Sequence, residues 1–126
     1  MKIKQVCALT GLTARTVRFY CERGLIHPTS YELNDRNYYE YSQDDVRILR
    51  RVGTLRRAEF SLEEISCMMQ DEENASAIIL SHMQKLRDRE ARTQQLLHKM
   101  QILCEETNVS FAAFADALED DTLPAD

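Results

Sequence analysis

A stretch of 35 residues, from Asn74 to Asn108, contains neither glycine nor proline. At a rise of about 1.5 Å per residue, one uninterrupted α-helix over this stretch would be roughly 50 Å long, which is more than a small domain can bury. Steps of alternately four and three residues give an apolar seam with a polar middle, formed by Ile79, Met83, Leu86, Glu90, Thr93, Leu97, Met100 and Cys104. A seam of this period is typical of a coiled coil.

We expect the long helix to pair antiparallel with the same helix of a second copy. The apolar ends of one helix would then meet those of its partner, with Glu90 and Thr93 near the crossing. The residues expected in this dimer interface are Ile79, Met83, Leu86, Leu97, Met100 and Cys104. The alternative is that the helix packs back on its own domain.

The beginning of the chain predicts two short helices. Apolar residues at helical spacing continue to Thr10, and Gly11 then permits a turn. Thr13 suits the N-cap of a second helix that runs to about Arg23, and Gly24 suits the position after its end. Two short helices joined through a turn that contains glycine indicate a helix-turn-helix.

The segment from residue 26 to residue 41 changes period. Tyr39 and Tyr41 alternate with Glu40, Pro28 prevents a helix locally, and residues 34–37 supply turn-forming side chains. This pattern predicts a β-hairpin, or wing, beside the helix-turn-helix.

Two capping boxes, each a serine followed three residues later by an acid, precede two further periodic stretches. Ser42 and Asp45 open a helix with the apolar positions Val46, Leu49, Val52 and Leu55. Ser61 and Glu64 open another helix with the apolar positions Leu62, Ile65 and Met69.

Near the other end of the chain, Ser110 can cap a short helix with an apolar face that includes Phe111, Phe114 and Leu118. Such a helix is too short to be stable alone in water, so we expect it to dock on the dimer or to hold a separate ligand. The whole pattern predicts a mostly α-helical protein: a winged helix-turn-helix DNA-binding domain (1–70), a dimerisation helix (71–109), and a short C-terminal helix with a frayed tail (110–126).

Composition restricts the class of protein. The longest aliphatic run, at residues 78–80, is too short to cross a bilayer, so no membrane partner is expected. The four cysteines lie far apart, which argues against a disulfide framework and against a zinc ribbon, and a cytoplasmic location follows as the default. Residues 1–60 carry a net charge of +4 and residues 61–126 a net charge of −9, which suggests a polyanionic partner for the first half alone.

The second helix carries a basic face. Arg15, Arg18 and Phe19 lie opposite the apolar side that contains Val17. The second helix of a helix-turn-helix enters the DNA major groove, where an arginine can bind guanine or a phosphate. The alternative is that both arginines are ordinary solvated charges and that Phe19 packs under the wing.

Four features together resemble the MerR family of bacterial transcription regulators: the run TVRFYCERGLI (16–26), the wing end YEYS (39–42), the run RRAEFSLEEI (56–65) and the long helix. The motifs cover residues 1 to about 70, and the long helix is similar in architecture only. The resemblance implies a homodimer on double-stranded DNA that distorts promoters with widely spaced elements, so that RNA polymerase can engage both elements. It also implies DNA contacts from the recognition helix by Arg15, Thr16, Arg18, Phe19 and Tyr20, and from the wing by Arg36, Tyr38 and Tyr39.

The sequence departs from the family pattern at two places. Asn37, Tyr38 and Tyr39 stand where the family has glycine, tyrosine and arginine, and Asn37 can still adopt the turn conformation. Glu59 stands where a glycine precedes Phe60, and a positive φ there would cost on the order of 1 kcal/mol.

Other functions remain as alternatives: an architectural DNA-bending protein, or a helical adaptor that binds a protein partner. The sequence holds no nucleophile–base set and no glycine-rich phosphate loop, so neither an enzyme nor a cofactor is predicted. A large ligand-binding domain is not expected in the about 18 residues after Asn108. Cys104 is expected to be a small buried hydrophobe; the alternative is a soft-metal or redox site with His82 and Met83 across the dimer.

Overall fold

The structure, a computed structural model, describes residues 1–106 and 109–120. These residues form six α-helices and one two-stranded antiparallel sheet, in the order α1 (Ile3–Thr10), α2 (Ala14–Glu22), β1 (Thr29–Leu33), β2 (Arg36–Glu40), α3 (Gln43–Arg57), α4 (Leu62–Gln70), α5 (Ala75–Glu106) and α6 (Phe111–Asp120). One turn of 3-10 helix precedes α5. The predicted fold class, mostly helical with a small wing and one long helix, is confirmed.

The chain divides into two compact units, residues 1–78 and the residues from 79 onward. In the described part of the chain, the buried hydrophobic side chains all lie in the first unit and form one core: Val6, Val17, Tyr20, Leu25, Ile26, Tyr41, Val46, Leu49, Val52, Phe60 and Ile65. The division at residue 78 falls inside α5, and the predicted three-part division stays a prediction.

The helices of the helix-turn-helix begin and end where the sequence predicts. Gly11 follows α1 with φ of +75°, and the Thr13 hydroxyl accepts a hydrogen bond from the Thr16 N–H at 3.1 Å. After α2, Gly24 adopts φ of +78° and the Leu25 N–H donates to the Tyr20 carbonyl at 3.0 Å. This is a Schellman motif, in which the left-handed residue turns the chain back over the helix end.

Both predicted capping boxes are present. The Ser42 hydroxyl accepts from the Asp45 N–H at 3.0 Å while the Asp45 carboxylate accepts from the Ser42 N–H at 2.9 Å. Ser61 and Glu64 exchange the equivalent bonds at the start of α4. Each box satisfies two backbone N–H groups that have no partner inside the helix, which fixes the start of α3 and of α4.

One predicted core position on α4 is wrong. Met69 is exposed, whereas its neighbour Met68 packs against the core. Met69 instead lines an open groove of about 340 Å³ between α3 and α4. Helical spacing places Met69 on the correct side of α4, but the first unit contains no element that covers that end of the groove.

The wing is a hairpin with a two-residue turn. Asn34 and Asp35 both have positive φ, 54° and 62°, the turn geometry that matches the twist of two antiparallel strands. Asn37, which can also adopt a turn conformation, lies instead in β2 opposite Glu32. Asparagine and aspartate tolerate left-handed backbone, and the chain uses the pair that comes first.

The long helix is confirmed. α5 contains 32 residues, about 48 Å at 1.5 Å per residue, and residues 107 and 108 of the predicted stretch lie outside the described residues. The predicted short helix is α6, in which the Ser110 hydroxyl accepts from the Ala113 N–H at 3.2 Å. Lys99 of α5 donates to the Leu118 carbonyl at 3.3 Å. α6 extends to Asp120, and the rest of the predicted frayed tail, 121–126, lies outside the described residues.

The chain after α3 is held in a left-handed turn by a residue other than glycine. Glu59 has φ of +72°, the Phe60 N–H donates to the Leu55 carbonyl at 3.1 Å, and the Glu59 N–H donates to the Arg56 carbonyl at 3.0 Å. This is a second Schellman motif, and it places the Phe60 ring in the core. Glu59 therefore meets the condition under which the sequence predicts a steric cost on the order of 1 kcal/mol.

Replacing Glu59 with glycine should raise the free energy of unfolding by about 1 kcal/mol, because glycine adopts this backbone without the steric cost of a Cβ atom. Urea unfolding of the two proteins measures the difference. The control is Ala58→Gly at the preceding position, where φ is −86° and glycine gains nothing. An equal or lower stability of the Glu59→Gly variant would contradict this explanation.

Candidate nucleic-acid interface

The two sides of α2 differ sharply in burial. Val17 and Tyr20 point into the core, whereas Arg15 and Arg18 are exposed and Phe19 keeps 43% of its surface exposed. The positions follow from the helical period, because three residues beyond Val17 the chain returns to the buried side. Thr16 lies between the two sides, half-buried, and its hydroxyl accepts a hydrogen bond from the Thr13 hydroxyl at 2.9 Å.

Tyr20 does not belong to the exposed face. Only 8% of its surface is exposed, and its ring packs among the core residues. The structure therefore assigns Tyr20 to the core, in contrast to the prediction that it contacts DNA. Tyr20 shares the inward side of α2 with Val17, and helical spacing alone already indicated this.

Arg23 adds a third arginine that the sequence interpretation missed. Its guanidinium carbon lies 5.8 Å from the centre of the Phe19 ring. A guanidinium at this distance over an aromatic ring is attracted to the ring and partly covers it. The spacing of four residues between Phe19 and Arg23 is the signal that could have revealed this pair. Arg15, Arg18 and Arg23 thus lie on or beside the surface that exposes Phe19.

The wing presents two unlike faces. Tyr31 and Tyr38 are directly paired across the strands and stack with ring centres 5.6 Å apart, whereas Ser30 pairs with Tyr39. Successive residues of a strand point to opposite faces, so Tyr38 and Tyr39 lie on opposite sides of the wing. Tyr38 is half-buried and Tyr39 is 44% exposed. A surface that lay flat against one side of the wing would reach only one of these two tyrosines.

Arg36, the third residue predicted to contact DNA from the wing, is the first residue of β2 after the turn. It pairs with Leu33 and is exposed. Its position two residues before Tyr38 places it on the face that carries the tyrosine stack. The structure therefore brings Arg36 and Tyr38 to one face and leaves Tyr39 on the other.

Lys2, near the beginning of the chain, contacts the face of the wing that carries the stacked Tyr31 and Tyr38 rings. Lys2 donates to the Tyr31 hydroxyl and lies 3.1 Å from a Glu40 carboxylate oxygen. The hydrogen bonds that Lys2 donates to Tyr31 and then to Glu40 raise the pKa of Lys2 above its usual value. The Met1 amino group and then Lys2 lower the pKa of the Glu40 carboxyl.

Cys7 and Cys21 fall on the inner faces of the first two helices, a position that predicts core packing. Both are half-buried and pack against the core, which confirms that prediction. Burial raises the pKa of the Cys21 thiol, so less of it is the reactive thiolate at neutral pH.

The alternative site of Cys104 with His82 would require two copies of the chain. The two residues are 22 positions apart on α5, about 33 Å along the helix, so one chain cannot bring them together. Within a single chain Cys104 is exposed and His82 is only 4% exposed, and both the burial of Cys104 on the dimer seam and the site with His82 stay predictions. In residues 1–106 and 109–120, no group of three or more histidines, cysteines or acids could hold a metal ion.

The predicted dimer seam lies largely on the exposed side of α5. Ile79, Met83, Leu97 and Cys104 are exposed, and Leu86 and Met100 are half-buried. Leu97 alone exposes 57% of its surface.

Among the described helices, none combines the length and the apolar character needed to cross a membrane.

Comparison with known proteins identifies the family of this fold. Residues 1–72 match the family described as "MerR HTH family regulatory protein". The transcriptional regulator YfmP of Bacillus subtilis is 34% identical over 125 residues, covering 94% of this chain and 88% of YfmP. The transcriptional regulator CueR of Vibrio cholerae is 35% identical over 88 residues, which covers 68% of this chain but only 62% of CueR.

Solved structures share the same architecture. The transcription regulator PbrR691 from Ralstonia metallidurans, in complex with lead(II), superposes with a TM-score of 0.76 at 19% identity, covering 87% of this chain and 89% of that one. EcmrR, solved in a complex with DNA, gives a TM-score of 0.64 at 24% identity, covering 84% of this chain and 40% of EcmrR. At these identities the likeness shows the fold. The family match over residues 1–72 and the similarity to YfmP along nearly the whole chain establish that the protein belongs to the MerR family of helix-turn-helix regulatory proteins.

Proposed function

We propose that this protein is a homodimeric, sequence-specific DNA-binding transcription regulator that distorts promoter DNA. The observation that carries the proposal is the exposed side of α2, where Arg15 and Arg18 flank the exposed Phe19 while the opposite side of the helix is buried in the core. The chain belongs to a family of regulators, and its relative EcmrR has been solved with DNA.

Each residue of the exposed side suits a contact with DNA. Arg15 and Arg18 can form paired hydrogen bonds to a guanine edge or bind a phosphate. Phe19 can pack against a sugar or a thymine methyl group, and the half-buried Thr16 can donate to a phosphate. From the wing, Arg36, Tyr38 and Tyr39 remain the proposed contacts, with the two tyrosines reaching different parts of the backbone because they lie on opposite faces.

The exposed apolar side of α5 supports the homodimer. Leaving a row of large apolar side chains in water is unfavourable, and a second α5 laid antiparallel would cover it with the same kind of surface. Ile79, Met83, Leu86, Leu97, Met100 and Cys104 are the residues proposed for this interface. Two copies would place two recognition helices on a near-palindromic operator, and RNA polymerase would take part indirectly through the distorted promoter.

The same family assignment suggests a regulator without enzymatic activity that acts in the cytoplasm. The relatives named above are transcription regulators rather than enzymes. The direct test is to select genomic fragments with the purified protein and to sequence the fragments retained. A near-palindrome between widely spaced promoter elements would support the proposal, and recovery of recombination sites would favour an architectural DNA-bending protein instead.

Replacing Arg18 with alanine should weaken binding to the selected operator by about 1–3 kcal/mol, and should weaken binding to unrelated DNA much less, because a base contact discriminates between sequences. Fluorescence anisotropy with both DNAs measures the two losses. The control is Arg87→Ala, which removes the same charge from an exposed position on α5. Equal losses on both DNAs would reduce Arg18 to a phosphate contact.

The salt dependence of binding separates a DNA-binding protein from a protein-binding adaptor. If several phosphates are neutralised, the logarithm of the affinity should fall with the logarithm of the salt concentration, with a slope of about −0.9 for each phosphate contacted. Titrations between low and moderate salt give the slope directly. A flat dependence, or no binding to any fragment, would favour the adaptor.

Replacing Leu97 with glutamate should weaken the dimer at least about tenfold, because a charge would enter an apolar interface without a partner. Sedimentation at several protein concentrations measures the dissociation constant. Gln95→Glu, which adds the same charge on the other side of α5, is the matched control. If both variants dimerise like the original protein, α5 is not paired through this seam.

A further inference from the structure

The wing has no buried core of its own that could fix its position. It consists of two strands of five residues, and all its side chains are exposed except the half-buried Tyr38. An isolated two-stranded hairpin is marginally stable in water. The direction in which the wing points must therefore depend on contacts with the rest of the first unit.

Lys2 makes such contacts with both strands at once. Its ammonium group donates to the Tyr31 hydroxyl on β1 and pairs with Glu40 at the end of β2. The same group lies 4.5 Å from the centre of the Tyr31 ring and 6.0 Å from that of Tyr38, so it also covers the tyrosine stack. A cation over an aromatic face is attracted to it, and here one cation serves two stacked rings.

The backbone beside Lys2 links this contact to the recognition helix. Lys2 occupies the N-cap position of α1, yet its side chain makes no capping hydrogen bond there. Next to it, the Tyr41 N–H donates to the Met1 carbonyl at 2.8 Å. α1 in turn packs its Val6 in the same core as Val17 of α2. A continuous set of contacts thus runs from the wing through Lys2 and α1 to α2.

We propose that Lys2 is a positioning residue, which fixes the wing relative to α2 and so supports DNA binding without touching DNA. The part of this inference that concerns DNA binding rests on the proposed function. Because the charge of Lys2 is already paired with Glu40, we expect its removal to leave the number of phosphate contacts unchanged. Both groups are charged at neutral pH, and their contact is reflected in a raised pKa of Lys2 and a lowered pKa of Glu40.

The test compares Lys2→Met, which keeps the length of the side chain and removes its charge, with Lys4→Met. Lys4 is exposed on α1 two residues away, so the control loses the same charge from the same helix. In the protein without DNA, hydrogen exchange of the wing amides (residues 29–40) should become about fivefold faster in Lys2→Met and stay unchanged in Lys4→Met. Unchanged exchange in Lys2→Met would overturn the proposal.

With operator DNA, Lys2→Met should lower the affinity about three- to tenfold while the slope of affinity against salt stays the same. A slope that becomes shallower by about 0.9 would show that Lys2 contacts a phosphate, which also overturns the positioning role. Tyr31→Phe, which keeps the ring but removes the hydroxyl acceptor, should add little in the Lys2→Met background.

The two parts of the experiment separate this inference from the proposed function. If the original protein binds no DNA fragment, the proposed function fails, and the exchange measurement still decides whether Lys2 holds the wing. If the original protein binds its operator and Lys2→Met matches it in both exchange and affinity, the proposed function stands and the positioning role fails.

Discussion

The burial of Val17 and Tyr20 determines what α2 can do. These two side chains anchor one side of the helix in the core, so the helix cannot rotate, and Arg15, Arg18 and Phe19 must face outward. The Schellman motif at Gly24 then turns the chain back and inserts Leu25 and Ile26 into the same core. A basic surface with an exposed aromatic ring is thus a consequence of core packing on the opposite side. Arg23 limits the cost of that exposure by lying over the ring.

The wing differs from α2, because the residues of its own turn fix its shape, whereas contacts with residues outside the hairpin fix its position. The left-handed pair Asn34 and Asp35 sets the register, and the register decides that Tyr31 stacks on Tyr38 while Tyr39 faces away. Nothing in the hairpin itself sets its angle to α2. Contacts through Lys2 and the neighbouring backbone supply that angle, so a residue outside the hairpin becomes part of its geometry.

Local chemistry made much of this fold predictable from the sequence. Caps at Thr13, Ser42 and Ser61 and the left-handed backbone at Gly24 depend on a few consecutive residues, and each is found where the sequence indicates. A glutamate at a left-handed position shows that the core contact of Phe60 outweighs a local cost on the order of 1 kcal/mol.

The errors concern properties that depend on partners distant in sequence. Met69 is exposed because no element of the first unit covers its end of the groove between α3 and α4. Tyr38 and Tyr39 point in opposite directions because they are successive residues of one strand, but which of them stacks on Tyr31 depends on the register, which the turn at Asn34 and Asp35 sets. Tyr20 is different, because its position three residues after the buried Val17 already indicates burial, whereas the family resemblance implies a contact with DNA.

The two units also differ in how much of their apolar surface a single chain buries. The first unit buries eleven hydrophobic side chains and has its own core. In the described part of the second unit, no hydrophobic side chain is fully buried, and Leu97 and Phe111 expose 57% and 92% of their surface. A helix about 48 Å long with apolar residues on an outer side is stable in water mainly through tertiary packing. Folding of the first unit can therefore precede association, whereas the stability of α5 and α6 should rise with protein concentration, because a second copy supplies the surface that one chain lacks.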